Sequence, residues 1–596
     1  MATTPARTNV ALAAVTAPQQ ATQPQTISGA HIFLKALQAA GVDTVFGLPG
    51  GVILPIYDAL VEYPIQHILV RHEQGAVHMA EGYARATGKA GVALVTSGPG
   101  ATNIVTGVAD AYYDSVPLVV FTGNVPTTLL GNDAFQEADI MGITRPCTKH
   151  NIIVRRVEDL ASAIQEAFYV ATTGRPGPVV VDIPKDVILA KTQVDWANIS
   201  LDLPGYQPVE TAHTPQDIEA ALRLLEQAER PMMLVGGGVV NGGAHQEALA
   251  LAERLNIPVG CSLMGLGGFP ANHPLYLGFT GMHGQYWANL AVAHADVLIV
   301  AGNRLGDRQT GNAKRFARHA KIIHIDLDPS TLQKNVDAFL PIQGDVRRVL
   351  QDVLSQSEDL SRFEASLKTR AQWFEQIETW KARRQPKPAS QSHLTAEFAI
   401  ERLFHHLPHD AFVTTEVGQH QMWAAQRYNL SRPRSFISSG GLGTMGFGFP
   451  AAIGIQAAFP DKTVVDIAGD GSFQMCLQEL ATACDYGLPV KVAIINNGHL
   501  GMIRQWQGSM YGRLSSAQLS SPDYCKLAEA YGAVGLVVEH PEQVDAVIAQ
   551  ALAITDRPVL IDFRVVSQAD VYPWVPAGAA NEDMLTEPQQ KTETAS

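Results

Sequence analysis

The chain has 596 residues, a formal net charge of −14 and an apolar fraction of 46%. Chains of this length usually fold into about three or four domains. The negative charge argues against nucleic acid as the main partner, and no run is long and apolar enough to cross a membrane. The five cysteines are scattered without a CxxC pair, which indicates free thiols in a reducing, cytoplasmic compartment.

The first 26 residues are rich in Ala, Thr, Pro and Gln. They contain one cation, Arg7, and no apolar h-region, so they resemble neither a secretory signal nor an arginine-rich transit peptide. We expect residues 1–26 to form a disordered tail.

Residues 27–192 alternate short apolar runs, glycine turns and amphipathic segments. Strand, turn and helix in this repeated order are typical of a doubly wound parallel sheet. Glu73 follows the strand Ile68-Leu69-Val70, at the edge where such sheets bind ligands. A lone Glu before a helix is more often a solvated carboxylate, so position alone leaves both interpretations open. Residues 121–137 show no periodicity and are predicted to be a loop.

A second domain is expected over residues 211–354, after a polar, proline-containing linker. Three of its predicted strands end in the turns GGG, GNRLGDR and DLDP, which indicates a Rossmann-like sheet. A strict GxGxxG is absent, so spacing alone predicts dinucleotide binding only weakly. Residues 355–391 are charged and carry Trp373 and Trp380 on a helical pattern, as in an interdomain helix and linker.

The third domain is expected over residues 392–566 and contains TVVDIAGDGSFQMCLQELATACDYGLPVKVAIINN. This run predicts a strand, one helix and a second, parallel strand. Asp470 and Asn497 then follow the carboxyl ends of these strands. Their oxygens suit Mg²⁺, and the glycines allow a phosphate to approach the backbone. Residues 567–596 form a C-terminal tail, predicted to be disordered from residue 580.

The motif GDG followed downstream by NN resembles the thiamin diphosphate (ThDP) binding motif. In detail, GDGSFQM…QELATA…LPVKVAIINN…LGMIRQWQ resembles the catalytic subunits of acetolactate synthase, also called acetohydroxyacid synthase. Residues 27–580 follow that pattern throughout. The resemblance implies an α/β fold of three doubly wound parallel-sheet domains, which bind the ThDP pyrimidine, FAD and the ThDP pyrophosphate with Mg²⁺.

The activity implied by the resemblance is decarboxylation of pyruvate and carboligation to pyruvate or 2-oxobutyrate. The products are 2-acetolactate and 2-aceto-2-hydroxybutyrate, in the first common step of valine, leucine and isoleucine biosynthesis. FAD has no redox role in this family. Members form homodimers or homotetramers with the active site at the dimer interface, often with a separate regulatory small subunit.

Other functions remain open at this stage. A catabolic acetolactate synthase would lack FAD, and a pyruvate oxidase would pass electrons to it. A dehydrogenase would leave the GDG…NN motif unexplained. An inactive scaffold would not need Glu73, Asp470 and Asn497, which are all present.

The resemblance assigns catalytic roles to five side chains. Glu73 hydrogen-bonds the pyrimidine ring of ThDP, Gln136 lies near the coenzyme, and Lys185 lies at the mouth of the substrate channel. Arg308 binds the carboxylate of the second 2-oxo acid, and Trp506 contacts its alkyl group.

The resemblance also assigns the cofactor contacts. The expected ThDP contacts are Gly47, Pro49, Gly50, Glu73, Val417, Gln419, His420, Gly443, Met445, Gly469, Gly471, Ser472 and Met502. The expected FAD contacts are Gly236, Gly237, Gly238, Met282, His283, Gly302, Arg304, Asp307, Asp326 and Asp345. The expected Mg²⁺ ligands are Asp470, Asn497 and the backbone carbonyl of His499. The chain has RLGDR at residues 304–308 where the family commonly has RFDDR.

Overall fold

The computed structural model describes residues 26–199, 201, 203–208, 212–383 and 393–588. Three six-stranded sheets, each with all its strands parallel, follow one another along the chain. This confirms the predicted three-domain α/β fold. The predicted N-terminal tail lies outside the described residues, except for Thr26. In the described part of the chain, no helix has both the length and the apolar character that a membrane span requires.

The first sheet has the strand order β3-β2-β4-β5-β7-β6, and β1 pairs with β8 beside it. Its strands are β1 (Thr26–Ser28), β2 (Thr44–Leu48), β3 (Gln66–Leu69), β4 (Gly91–Val95), β5 (Leu118–Asn124), β6 (His150–Ile153), β7 (Pro178–Pro184) and β8 (Lys191–Gln193). Its helices are α1 (Gly29–Ala39), α2 (Leu54–Leu60), α3 (Glu73–Thr87), α4 (Pro99–Thr102), α5 (Val105–Asp114), α6 (Ile140–Thr144), α7 (Leu160–Thr172) and α8 (Lys185–Leu189).

One part of the first domain differs from the expectation. Residues 121–124 belong to the buried strand β5, so the predicted loop over 121–137 is wrong at its start. The strand was not predicted because it contains the polar residues Thr122 and Asn124. Both can be buried in it because they donate to the buried Asp182 of the neighbouring strand. A polar pair inside a fully buried strand mimics a turn in the sequence.

The central sheet has the order β11-β10-β9-β12-β13-β14, which is the 3-2-1-4-5-6 arrangement of the Rossmann fold. Its strands are β9 (Pro231–Val235), β10 (Val259–Cys261), β11 (Tyr276–Phe279), β12 (Val297–Ala301), β13 (Lys321–Asp326) and β14 (Leu340–Gln343). Its helices are α9 (Pro215–Gln227), α10 (Gly237–Asn241), α11 (His245–Leu255), α12 (Tyr286–His294), α13 (Asp307–Thr310) and α14 (Val346–Gln356).

A long helix, α15 (Glu364–Arg383), follows the central sheet and packs on it. Trp373 and Trp380 are buried on one side of it, as their spacing predicts. The fully buried Arg370 guanidinium donates to the carbonyls of Leu225 (2.6 Å), Ala228 (3.1 Å) and Leu255. These carbonyls lie at the C-terminal ends of α9 and α11, where helices leave acceptors unpaired.

The third sheet has the order β16-β15-β17-β18-β20-β19, which is the same arrangement as the first. Its strands are β15 (Phe412–Thr415), β16 (Phe436–Ser438), β17 (Val464–Gly469), β18 (Lys491–Asn496), β19 (Val534–Val538) and β20 (Val559–Arg564). Its helices are α16 (Ala396–His406), α17 (Gln419–Arg427), α18 (Gly448–Ala458), α19 (Asp470–Phe473), α20 (Leu480–Asp485), α21 (Gly501–Tyr511), α22 (Tyr524–Tyr531) and α23 (Val544–Ala553).

Two expectations for the C-terminal third are corrected. The single helix predicted after the GDG turn is broken into α19 and α20 by a 3₁₀ turn at Leu477–Glu479. The predicted disorder from residue 580 is wrong for the described residues up to 588. This segment packs on the central domain, where Ala580 and Asn581 are buried and Arg315 pairs with Glu582 at 3.1 Å.

The first and third domains share one apolar core, built around α3 and α18. A Cβ at Gly82 would lie 2.1 Å from the Ala451 carbonyl oxygen, and a Cβ at Gly454 would lie 1.9 Å from that of Met79. Glycine is therefore required on both helices for this close approach. A second core joins the central and third domains, so all three sheets are held together.

Candidate active site

In the third sheet, β16 lies on one side of β15 and β17 lies on the other, so the strand order reverses between β15 and β17. Open α/β sheets bind ligands at such switch points, beyond the carboxyl ends of the strands. Val417 and Gly418 follow β15, whereas Asp470 and Gly471 follow β17. Asn497 comes directly after the next strand, which pairs with β17.

The Asp470 carboxylate is 1% exposed in a site that faces a cavity. Its Oδ2 accepts from the Gly498 backbone N–H (3.1 Å) and the Ser521 hydroxyl (3.0 Å), yet burial still raises its pKa. Asn497 lines the same cavity, and its Oδ1 accepts from the His499 backbone N–H at 3.0 Å. A buried carboxylate beside an amide oxygen fits a hard divalent cation, which would offset the cost of burying the charge.

The His420 ring lies between two glycines in the wall of this cavity. A Cβ at Gly418 or Gly469 would approach the ring to 2.8 or 2.7 Å. Burial lowers the pKa of His420 to about 3, so the ring is neutral at physiological pH. Among the described residues, its buried Nε2 has no hydrogen-bond partner. A buried nitrogen without a partner beside a cation site indicates a polar group supplied by a ligand.

Glu416 is a functional candidate that the sequence reasoning missed. This fully buried carboxylate accepts from the backbone N–H of Gly446 (2.6 Å) and Phe449 (3.0 Å), and from the Ser472 hydroxyl (2.6 Å). It therefore ties the GDGS turn to the turn after Met445. The signal available in the sequence was an acid placed directly after the buried strand FVTT.

A single cavity of about 1180 Å³ joins this site to the carboxyl edge of the central sheet. It is lined by most of the residues that the resemblance selects: Val417, Gln419, His420, Gly443, Met445, Gly469, Asp470, Gly471, Ser472, Asn497, His499, Met502, Trp506, Gly237, Gly238, Met282, His283, Gly302, Arg304, Asp307, Arg308, Asp326 and Asp345. Residues scattered over more than 260 positions of sequence thus share one space.

The central part of the cavity lies at the Rossmann switch point between β9 and β12. A Cβ at Gly236 would lie 2.1 Å from the Gly302 carbonyl oxygen, and Gly302 has a φ of +59°. Only glycines allow these two turns to come so close. Burial raises the pKa of Asp326 to about 6. Glycine turns with a buried acid at this position fit a dinucleotide.

The Arg308 guanidinium carbon lies 5.8 Å from the centroid of the Trp506 ring. Arg308 is exposed and also pairs with Asp307 at 2.9 Å. A cation beside an aromatic wall, at the mouth of the cavity, suits a small molecule with a carboxylate and an alkyl chain.

The other predicted residues form a second cluster, at the carboxyl edge of the first sheet. The buried Glu73 begins α3 and accepts from the Asn103 side chain at 2.8 Å. Gly50 lies close to Thr96 in the same turn region. Gly47, Pro49, Gln136 and Lys185 belong to this edge as well. None of these described residues lines the cavity that contains Asp470.

Comparison with known proteins assigns the family. Three family models match, described as the N-terminal TPP binding domain (residues 27–143), central domain (218–353) and C-terminal TPP binding domain (416–563) of thiamine pyrophosphate enzymes. Thiamine pyrophosphate is another name for ThDP. The chain is 46% identical to the acetolactate synthase isozyme 3 large subunit of Escherichia coli (strain K12), over 95% of this chain and 100% of that protein.

Two further relatives agree. The acetolactate synthase large subunit of Corynebacterium glutamicum is 48% identical over 94% of this chain and 90% of its own. The acetolactate synthase large subunit of Haemophilus influenzae is 44% identical over 95% of this chain and 99% of that protein. The chain belongs to the acetolactate synthase large-subunit family of thiamine pyrophosphate enzymes. The resemblance read from GDG…NN is thereby confirmed, and family membership agrees with the three-sheet architecture.

Proposed function

We propose that this protein is the catalytic subunit of an acetolactate synthase, a transferase that uses ThDP, Mg²⁺ and FAD. It decarboxylates pyruvate and joins the two-carbon unit to a second 2-oxo acid, which gives 2-acetolactate or 2-aceto-2-hydroxybutyrate. The main support is the single cavity that joins Asp470 and Asn497 to the Arg308–Trp506 pair. This reaction begins the biosynthesis of the branched-chain amino acids.

The third domain holds the coenzyme's diphosphate. ThDP, when bound, supplies the nucleophilic carbon and electron sink that decarboxylation of a 2-oxo acid requires. Asp470, Asn497 and the His499 carbonyl bind Mg²⁺, which neutralises the diphosphate. The neutral His420 ring lines the cavity beside this cation site, with its unpartnered Nε2 available to a polar group of the coenzyme.

The pyrimidine end of the coenzyme needs a carboxylate near its ring nitrogen and a hydrogen-bond acceptor for its amino group. Gly443 and Met445 line the cavity, where the Gly443 carbonyl would accept from the amino group of the pyrimidine and Met445 would pack against the coenzyme. The Glu73 carboxyl would hydrogen-bond the pyrimidine nitrogen and hold a proton there. Because Glu73 does not line the cavity of its own chain, it acts on the coenzyme of a second chain. Gly47, Pro49 and Gly50 lie at the same sheet edge as Glu73 and would contact the same coenzyme. Each active site therefore needs two chains, so the active unit is a homodimer.

Arg308 binds the carboxylate of the second 2-oxo acid, because a planar guanidinium matches a carboxylate in a bidentate arrangement. Trp506 contacts its alkyl group. Gln136 and Lys185 approach from the edge of the partner chain and close the channel. With the channel closed in this way, water is removed from the reacting groups, which strengthens these polar contacts.

FAD binds the glycine turns of the central domain beside Arg304 and Asp326. Two molecules of pyruvate give acetolactate and CO₂ without net transfer of electrons, so the flavin has no redox step. We place the protein in the cytoplasm, in keeping with its five free cysteines. The relatives are named large subunits, which supports association with a separate smaller chain.

The test is an assay of the purified protein with ThDP, Mg²⁺ and pyruvate, with and without an electron acceptor. We expect acetolactate at a rate that the acceptor does not change, and no activity from Asp470→Ala. Acetate formed only with the acceptor would instead indicate a pyruvate oxidase. Bound flavin, measured by absorbance, separates this enzyme from a catabolic synthase.

A further inference from the structure

The loop after β16 carries Gly443 and Met445 into the cavity, but its back is held by a helix of the first domain. Asp110 and Asp114 lie one turn apart on α5, so their side chains share a face. Both are buried in the contact with this loop. Neither was selected from the sequence.

The two carboxylates bind four backbone amides of the loop, two of them directly. Asp114 accepts from the N–H groups of Gly440 (2.9 Å) and Gly441 (2.8 Å). The Ser439 hydroxyl donates to Asp110 and accepts from the N–H groups of Gly443 (3.0 Å) and Thr444 (2.8 Å).

Two more groups complete the arrangement around Asp110. The Thr444 hydroxyl donates to Asp110 at 2.9 Å. The Arg85 guanidinium lies 3.3 Å from Asp110 and 3.0 Å from Asp114, so one cation lies against both buried carboxylates. Arg85 also donates to the Ser438 carbonyl at 3.0 Å, just before the loop. Both carboxylates, Asp110 and Asp114, are therefore hydrogen-bonded, as buried polar groups require.

This network fixes the direction of one carbonyl. A trans peptide is planar, with N–H and C=O pointing to opposite sides. Because the Thr444 N–H points to Ser439 Oγ, the Gly443 C=O points away from Ser439. Gly443 has a φ of +75°, a conformation that favours glycine, and it lines the cavity. A hydrogen bond on the N–H also makes the carbonyl of the same peptide a stronger acceptor.

We propose that Asp110 and Ser439 are positioning residues, which hold the Gly443 carbonyl as a fixed acceptor for the amino group of the coenzyme. The proposal rests on the proposed function, because that function places the pyrimidine of ThDP at Gly443. Asp110 and Ser439 do not touch the coenzyme. They act through the Thr444 amide and through the loop's shape.

The test compares Ser439→Ala with Ser435→Ala, which removes the same buried hydroxyl at the other end of β16. In the described structure the Ser435 hydroxyl bonds to Tyr428 (2.7 Å) and to the Arg432 carbonyl, and not to the loop after the strand. Each variant is measured for its thermal midpoint, its Kd for ThDP with Mg²⁺, and the circular dichroism of the bound coenzyme's imino tautomer.

In Ser439→Ala we expect Kd for ThDP to rise at least about tenfold, because a buried hydrogen bond in a charged chain is lost. The imino-tautomer band should weaken, and kcat should fall while KM for pyruvate stays within about twofold. Ser435→Ala should keep the wild-type coenzyme affinity and spectrum, even where its thermal midpoint falls equally.

Equal coenzyme affinity and equal spectra in the two variants would overturn the proposal. The binding and dichroism measurements do not need turnover, so they decide it even if the wild type makes no acetolactate. A wild-type protein that binds no ThDP would overturn both this proposal and the proposed function. Asp110→Asn should shift the spectrum in the same direction as Ser439→Ala.

Discussion

The separation of Glu73 from the cavity that contains Asp470 leads to a quantitative prediction. If the coenzyme binds between two chains, Glu73→Ala and Asp470→Ala each inactivate both sites of their own homodimer. In a mixed dimer, one site receives both substitutions and the other receives neither. An equal mixture with free exchange contains half mixed dimers, each with one intact site of two, so we expect about one quarter of the wild-type activity.

The matched control uses two residues that line the same cavity. Asp470→Ala mixed with Asn497→Ala should recover nothing, because each chain's own cation site is damaged. Acetolactate formation is measured after exchange, and exchange itself is followed with two differently labelled chains. Recovery in both mixtures, or in neither despite complete exchange, would refute the shared site.

Trp506→Leu should lower the preference for 2-oxobutyrate over pyruvate as acceptor by roughly 10–200-fold, because this is the selectivity that one methylene gains against an apolar wall. Total turnover should change less. The ratio of the two products, formed with both acids present, measures the preference. Arg370→Met should destabilise the central domain by about 3–5 kcal/mol, because three buried carbonyls lose their donor. Lys368 is exposed on the same helix, so Lys368→Met should cost less than about 0.5 kcal/mol. Thermal unfolding of the two variants compares these losses. Burial raises the pKa of Glu479 to about 7. A carboxyl whose pKa is higher when folded stabilises the fold at low pH and loses that contribution as pH rises, here between pH 4.5 and 7. Wild type should therefore lose about 3 kcal/mol relative to Glu479→Gln across that range, and an unchanged difference in unfolding free energy would contradict this.

Local patterns in the sequence were sufficient for the sheets and the cation site. Val464 to Ala468 and Val490 to Ile495 are apolar apart from Asp466 and Lys491, as expected for strands buried on both faces. The parallel strand–helix–strand connection then places Asp470 and Asn497 at one edge, without knowledge of the rest of the chain. The structure moves the strand ends by only a residue, to Gly469 and Asn496.

Contacts between distant segments could not be predicted in this way. Asp110 looks like a polar residue on an amphipathic helix, and only the packing of α3 on α18 brings α5 to Ser439, 329 residues away. The packed tail after residue 580 gave no signal for a similar reason. Its polar composition is typical of disorder, but Arg315 offers partners for Glu582 and Asp583.

The separation of the two clusters assigns two different roles to the first domain. Its Glu73 edge serves the coenzyme of the partner chain, whereas its helix α5 holds the coenzyme loop of its own chain. Asp110 should therefore behave in mixtures like Asp470, not like its domain neighbour Glu73. To the extent that Asp110→Asn lowers activity, mixing it with Glu73→Ala should restore activity towards one quarter of wild type, because one site of the mixed dimer is intact. Mixing Asp110→Asn with Asp470→Ala should give no gain over the Asp110→Asn protein alone. Recovery in the second mixture but not in the first would show that Asp110 acts across the interface, and would contradict the assignment of the loop contact to a single chain.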